Sequence, residues 1–180
     1  MITKTLLTAD DLARMPDDAS VQIELDEGEL ITMPPAGFEH GECENQIMFL
    51  LTQHVRKNKL GKVVTGDTGF RLNDRTVFAP DVAFVRRDRI EAVRSKSFAK
   101  GAPDLAVEIF SPSDGIRQTT RKVKQYLALG CHTVWVVFPK REEVEVYEAT
   151  GAKRTLRSID TLDAPDLLPG FSVKVAELFS

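Results

Sequence analysis

Glu108 stands in an almost continuous apolar run, Leu105-Ala-Val-Glu-Ile-Phe, where a carboxylate would have to leave water unless something binds it. The run has the length and composition of a strand covered on both faces. Side chains alternate along a strand, so Asp104, Ala106 and Glu108 share one face while Leu105, Val107 and Ile109 pack on the other. Two readings of Glu108 stay open from the residues alone: a structural ion pair with one of the arginines, or a metal ligand or acid/base group where the strand ends. A second carboxylate, Asp81, follows Pro80 and opens the apolar stretch Val82-Ala-Phe-Val. Asp104 lies four residues before Glu108 on the same strand, about 13 Å away, too far for both to hold one ion. Asp81 comes from a different strand and carries no such restriction.

A third group comes from the helix that follows. At about 100° per residue, Ile116, Thr119, Val123, Tyr126 and Leu127 form a buried stripe, and Arg117, Arg121, Lys124 and Gln125 point away. Lys122 lies on the border of that stripe beside Tyr126. It is the basic residue of this helix best placed to turn inward, the bland alternative being a lysine stem that covers apolar surface.

These groups need elements to position them. Thr8 and Asp11 frame a short helix that stops before Pro16. Val21 to Leu25 and Glu29 to Met33 alternate as two strands about the turn Asp26-Glu-Gly, a hairpin carrying Glu24 near its tip. Between Glu42 and Asn58, Ile47, Leu50, Leu51 and Val55 recur at helical spacing, with Glu42 and Glu44 in the first turn and Arg56, Lys57 and Lys59 in the last. Lys62 to Thr65, Thr68 to Leu72 and Asp81 to Val85 read as strands of a meander. After Leu105 to Phe110 comes a break at Ser111-Pro-Ser-Asp-Gly, a helix from about Ile116 to Leu129 and a buried strand from Thr133 to Phe138. Glu143 to Tyr147, Arg154 to Arg157 and a closing segment from Val173 to Phe179 are peripheral. No internal repeat or linker interrupts this order, which predicts one α/β or α+β domain.

Composition agrees. A chain of 180 residues can bury roughly 70% of the surface its unfolded form exposes, and 42% apolar with 28% charged residues excludes disorder, collagen-like repeats and coiled coil. No stretch approaches the ~20 apolar residues of a membrane span, and the first residues lack the pattern of a signal peptide, so a cytoplasmic protein with no membrane partner is expected. The net charge of −3 hides an uneven distribution: residues 1 to 47 hold Lys4 and Arg14 against eleven acids. Basic residues gather between Arg86 and Lys100 and again at Arg117, Arg121, Lys122 and Lys124, where an anionic partner could be met. Cys43 and Cys131 are too few and too far apart for a disulfide framework or a closed zinc site, and read as small buried apolar residues. His54 falls on an apolar helix face and reads as a core histidine. A site built from His40, Cys43, Cys131 and His132 matches no closed zinc spacing. Asp67 and Arg71 read chiefly as turn and surface residues, and Trp135 as core.

The ordered blocks Glu24 before Asp26-Glu-Gly-Glu, Pro34-Pro-Ala-Gly-Phe-Glu-His-Gly, Thr68-Gly-Phe-Arg-Leu, Pro80-Asp-Val-Ala-Phe-Val, Pro103-Asp-Leu-Ala-Val-Glu-Ile-Phe-Ser-Pro-Ser-Asp, Lys122 to Tyr126 and Val134-Trp-Val-Val resemble the large bacterial restriction-endonuclease family with the PD-(D/E)XK nuclease core. The likeness runs from about Val21 to Phe179. It implies a restriction-endonuclease-like mixed central sheet flanked by helices, as one nuclease-like domain over residues 1–180 with its core at about 21–179. It further implies Asp81 and Glu108 as metal ligands, Lys122 orienting or activating water, and Glu24 as an accessory acid. In the parent motif the lysine sits two residues after the second acid, a position held here by Phe110; members of this family resemble one another in supplying it from the next helix, as Lys122. Hydrolysis of a phosphodiester needs charge neutralised on the phosphate and a nucleophilic water, which a hard cation on two carboxylates provides. Magnesium, with manganese as a substitute, DNA as substrate and a homodimer are the corresponding expectations. The alternatives are a non-catalytic nucleic-acid or protein-binding module that keeps the fold, for which Phe110 and the acidic first quarter speak, and an unrelated metal-dependent hydrolase on the same core.

Overall fold

The computed structural model describes residues 6–16, 21–111 and 115–180. In chain order the elements are α1 (Ala9–Ala13), β1 (Gln22–Asp26), β2 (Glu29–Met33), α2 (Phe38–Asn58), β3 (Gly61–Thr65), β4 (Phe70–Asn73), β5 (Thr76–Phe78), β6 (Val82–Arg86), α3 (Ile90–Val93), β7 (Ala99–Lys100), β8 (Leu105–Ile109), α4 (Gly115–Ala128), β9 (Thr133–Phe138), β10 (Glu143–Glu148), β11 (Lys153–Arg157), β12 (Thr161–Asp163) and β13 (Ser172–Lys174). Short 3-10 turns at Arg87–Arg89, Pro139–Arg141 and Val175–Phe179 complete them. The break after β8 is described only at its ends, because residues 112–114 lie outside the described residues.

A six-stranded sheet in the order β11-β10-β9-β8-β6-β3 forms the centre of a mixed α/β fold. Its β8 and β9 run parallel, joined by the crossover helix α4, while its other pairs are antiparallel. Strand β8 is covered on both faces, as its near-continuous apolar run requires. Leu105, Val107 and Ile109 pack with Cys43, Ile47, Leu51 and Val55 of α2, and with the C-terminal residues Val175 and Leu178. Ala106 faces the opposite core, built from Val123 and Tyr126 of α4 with Phe70 and Phe78. Helices therefore flank the central sheet on both sides.

A five-stranded sheet, β2-β1-β5-β4-β7, brings the N-terminal hairpin over α4. This corrects the expected meander: β3 and β6 pair with each other in the central sheet, whereas β4 leaves it and pairs with β5. The three-residue β5 gave too short a pattern to stand out. α1 forms with the capping box expected of Thr8 and Asp11. α2 begins at Phe38 rather than Glu42, its first turn starting at Gly37 without a side-chain cap. Ile116, expected in the buried stripe of α4, is 52% exposed, and Gln125, expected to point away, donates to Asp26 Oδ1 at 2.8 Å. The hairpin tip reaches this side of the helix, and Arg121 joins it by pairing with Asp26 and Glu27.

Candidate active site

The end of β8 where Glu108 sits lies beside the start of β6. Register pairs Val82 with Val107, so one step further along this antiparallel ladder sets Asp81 opposite Glu108. Asp81 Oδ2 accepts the Ile109 backbone N–H at 2.6 Å, which fixes the carboxylate across the strand end. Its Oδ1 lies 3.0 Å from His40 Nε2. His40 and Glu44 stand four residues apart on α2 and so share one face of that helix. One ligand atom each from His40, Glu44 and Asp81 lies within 4.8 Å of the others. Burial raises the Glu44 carboxyl above its ordinary value, the charge of Asp81 adds to that, and His40 opposes it.

Glu108 turns the other way, toward α4. Its Oε2 accepts from Lys122 Nζ at 2.8 Å and its Oε1 from the Tyr126 hydroxyl at 2.9 Å. Lys122 is buried among Thr119, Val123 and Tyr126 on the inner face of α4, with its ammonium 5.3 Å above the Phe78 ring. The same ammonium donates to Glu24 Oε1 at 3.0 Å. Glu24 is fully buried on β1. Its Oε1 also accepts the Ala79 backbone N–H at 2.8 Å, while its Oε2 is buried with no hydrogen-bond partner among the described residues. One lysine is thus held between two acids from two different sheets, the bland reading of a surface-covering stem being excluded by its burial.

Electrostatics follow from that arrangement. Burial pushes the Glu108 carboxyl up to about 7; Lys122 opposes this, and the charges of Glu24 and Asp81 add to it. For Lys122, burial alone would favour the neutral amine, but the charges of Glu108 and Glu24 outweigh it and hold the ammonium above its ordinary range. Burial and the same two carboxylates raise the Tyr126 hydroxyl, which therefore stays a donor to Glu108.

A cleft of about 1470 Å³ is lined by His40, Glu44, Asp81, Glu108 and Lys122 together. Glu24 stands behind it as the support of Lys122. The donor set suits a divalent cation, since ligand atoms on opposite sides of an ion with bonds near 2.1 Å lie about 4.2 Å apart, within the spread of the His40, Glu44 and Asp81 atoms. Glu108 is not a member of that cluster and is satisfied by Lys122 and Tyr126 instead.

The remaining sequence-marked residues lie elsewhere. Asp104 sits at the far end of β8, where it accepts from the Arg86 backbone N–H and pairs with Arg89 at 3.0 Å. Cys131 and His132 belong to that end too, because Leu105 pairs with Thr133, so they do not join His40 and Cys43. Both thiols are buried and pushed up to about 12. His54 is a structural residue, within 3.0 Å of the Pro169 carbonyl and edge-on to Phe171. Arg71 pairs with Asp10 and Asp74, not with the site, and Asp67 lines the cleft. Trp135 is core, stacked on Phe171. His40, Glu44 and the hydroxyl of Tyr126 are the residues that sequence reasoning missed; the signal for the first two was a histidine and a glutamate at one-turn spacing.

A mixed α/β fold with acids, a histidine and a buried lysine meeting at adjacent strand ends defines a restriction-endonuclease-like protein with a candidate cation seat. The profile of the Uma2 family, described as "Putative restriction endonuclease", matches residues 9–176, and the chain belongs to that family. Among solved structures, the chain is similar to one described as a "putative nuclease belonging to DUF820" from Anabaena variabilis, with a TM-score of 0.83 at 18% identity over 96% of this chain and 97% of that one. At that identity the likeness shows the fold. No curated protein matches the chain.

Proposed function

We propose that this chain is a metal-dependent endonuclease that hydrolyses phosphodiester bonds in DNA, with magnesium as its ion and manganese as a substitute. The observation that carries the reading is the meeting, in one cleft, of Asp81 with His40 and Glu44 on one side and of Glu108 with Lys122 on the other. Asp81 and Glu108 are the proposed metal ligands, and His40 and Glu44 are further donors beside Asp81. A bound divalent cation would supply neutralising charge at the phosphate and make a water it holds more acidic than bulk water.

The chain's own groups do the rest. The Ile109 N–H holds Asp81 with one oxygen turned toward His40. Lys122 offers a fixed positive charge beside Glu108, placed to stabilise charge that develops on the phosphate or to orient the attacking water. Glu24 holds that ammonium in position and cancels part of its charge, and Tyr126 holds the second oxygen of Glu108. Lys140 and Arg141, which also line the cleft, give an acidic site a basic rim for an anionic strand. A homodimer, acting in the cytoplasm, would bring two such clefts to the two strands of a duplex, and light scattering after gel filtration reads its mass.

Incubation of the purified chain with supercoiled plasmid tests the reading. Nicking or linearisation in magnesium or manganese, abolished by chelator and by Asp81→Asn, is the expected result. Intact plasmid under every condition, together with absent metal binding, would leave the non-catalytic binding module as the better description.

A further inference from the structure

Among the described residues, six large apolar side chains are exposed, and Phe38 is the one of these six that lines the cleft. It is 82% exposed. Its position is set by α2: it is the first residue of that helix and stands two residues before His40. Gly37 precedes it and Gly41 follows one turn later on the same side; a Cβ at either would meet nothing within 4 Å. Its exposure leaves the ring at the open lip of the site. No packing among the described residues accounts for an aromatic face left in water there.

The same cleft carries a second aromatic group with cations beside it. Phe110 and Phe138 pack with ring centroids 5.1 Å apart, the Arg141 guanidinium lies 5.1 Å over Phe138, and Lys140 lines the same cleft. Phe138 is itself buried, so Phe38 is the freely exposed aromatic face of the cleft, with Lys140 and Arg141 as its exposed cations. A nucleic-acid strand with unpaired bases requires that combination, since every base has a face to stack and each phosphate needs a positive partner. In a closed duplex those base faces are already covered by their neighbours.

We propose that Phe38 is a stacking platform for an unpaired nucleobase next to the scissile phosphate, so that the cleft prefers single-stranded or locally opened DNA to closed duplex. This rests on the nuclease reading of the cleft and deepens it by naming the form of the substrate. Phe38 acts on binding and positioning, while the acids and Lys122 are unaltered by its removal.

Fluorescence anisotropy of a labelled short single strand and of the matching duplex tests this in calcium, a hard divalent ion for the carboxylate seat, with wild type, Phe38→Ala and Phe38→Trp. Loss of one base stack predicts that Phe38→Ala weakens single-strand binding roughly five- to a hundredfold, that duplex binding changes by less than about twofold, and that Phe38→Trp keeps wild-type affinity. A 2-aminopurine base in the strand should be quenched by wild type and not by Phe38→Ala. Because the side chain is exposed, the variants fold alike, which circular dichroism checks. Equal affinity of wild type and Phe38→Ala for the single strand, or equal losses on both forms, would overturn the stacking role and leave the nuclease reading intact. A wild-type chain that binds neither form would overturn both.

Discussion

Removing the charge of Glu108 should make the metal-free protein more stable, and increasingly so as pH rises. Its carboxyl is raised from the ordinary 4.5 to about 7, chiefly by burial. A carboxyl whose native value lies above its unfolded one binds more protons in the native state between the two values. Stability therefore falls as pH rises from about 4.5 to about 7, and the whole cost is present above that window. At about 1.4 kcal/mol per pH unit, the shift amounts to about 3 kcal/mol. Glu108→Gln removes that cost but weakens the bonds from Lys122 and Tyr126, a loss of about 1–2 kcal/mol. Lys122 stays paired, through Glu24. The variant should thus exceed wild type by about 1–2 kcal/mol at pH 8 and fall level with it or below it near pH 4.5. Urea unfolding of both proteins in chelator at the two pH values measures the gap, and Glu44, whose carboxyl is also raised, cancels in the difference. A gap that is constant with pH, or that closes as pH rises, would refute the burial argument for Glu108.

Lys122→Ala leaves Glu24 and Glu108 facing each other without their shared cation, and should cost about 3–5 kcal/mol in urea unfolding. It should also abolish plasmid cleavage while keeping most of the metal affinity, because an ammonium ligates no metal; Lys124→Ala, on the exposed side of α4, should leave both near wild type. Asp104→Ala at the far end of β8 strands Arg89, itself only partly exposed, and the Arg86 N–H. It should destabilise by about 2–4 kcal/mol without altering the metal affinity of the cleft, which calorimetry and urea unfolding together report.

The pattern of apolar residues showed α2, β8, α4 and β9 because each is long and buried, and the alternation along β8 placed Glu108 on the face that α4 covers. Helical angles likewise turned Lys122 inward. What lies between distant segments was not legible. Nothing local to Phe70 or Phe78 says which sheet their strands join, and the position of the hairpin, which decides that Gln125 is partnered by Asp26, depends on that choice. The first turn of α2 hid His40, since Gly37 and Gly41 flank it and no apolar period reaches that far toward the N-terminus. Tyr126 read as core and is core; its hydroxyl became part of the site only once Glu108 was known to point at it.

Isothermal titration of manganese into wild type and Asp81→Asn, at neutral pH and without DNA, tests the cation seat most directly. One saturable site per chain, lost or weakened at least about tenfold in Asp81→Asn as expected when one of few carboxylate ligands is removed, is the predicted result. The same small or absent heat of binding in both proteins, with Asp81→Asn folded by circular dichroism, would contradict the account.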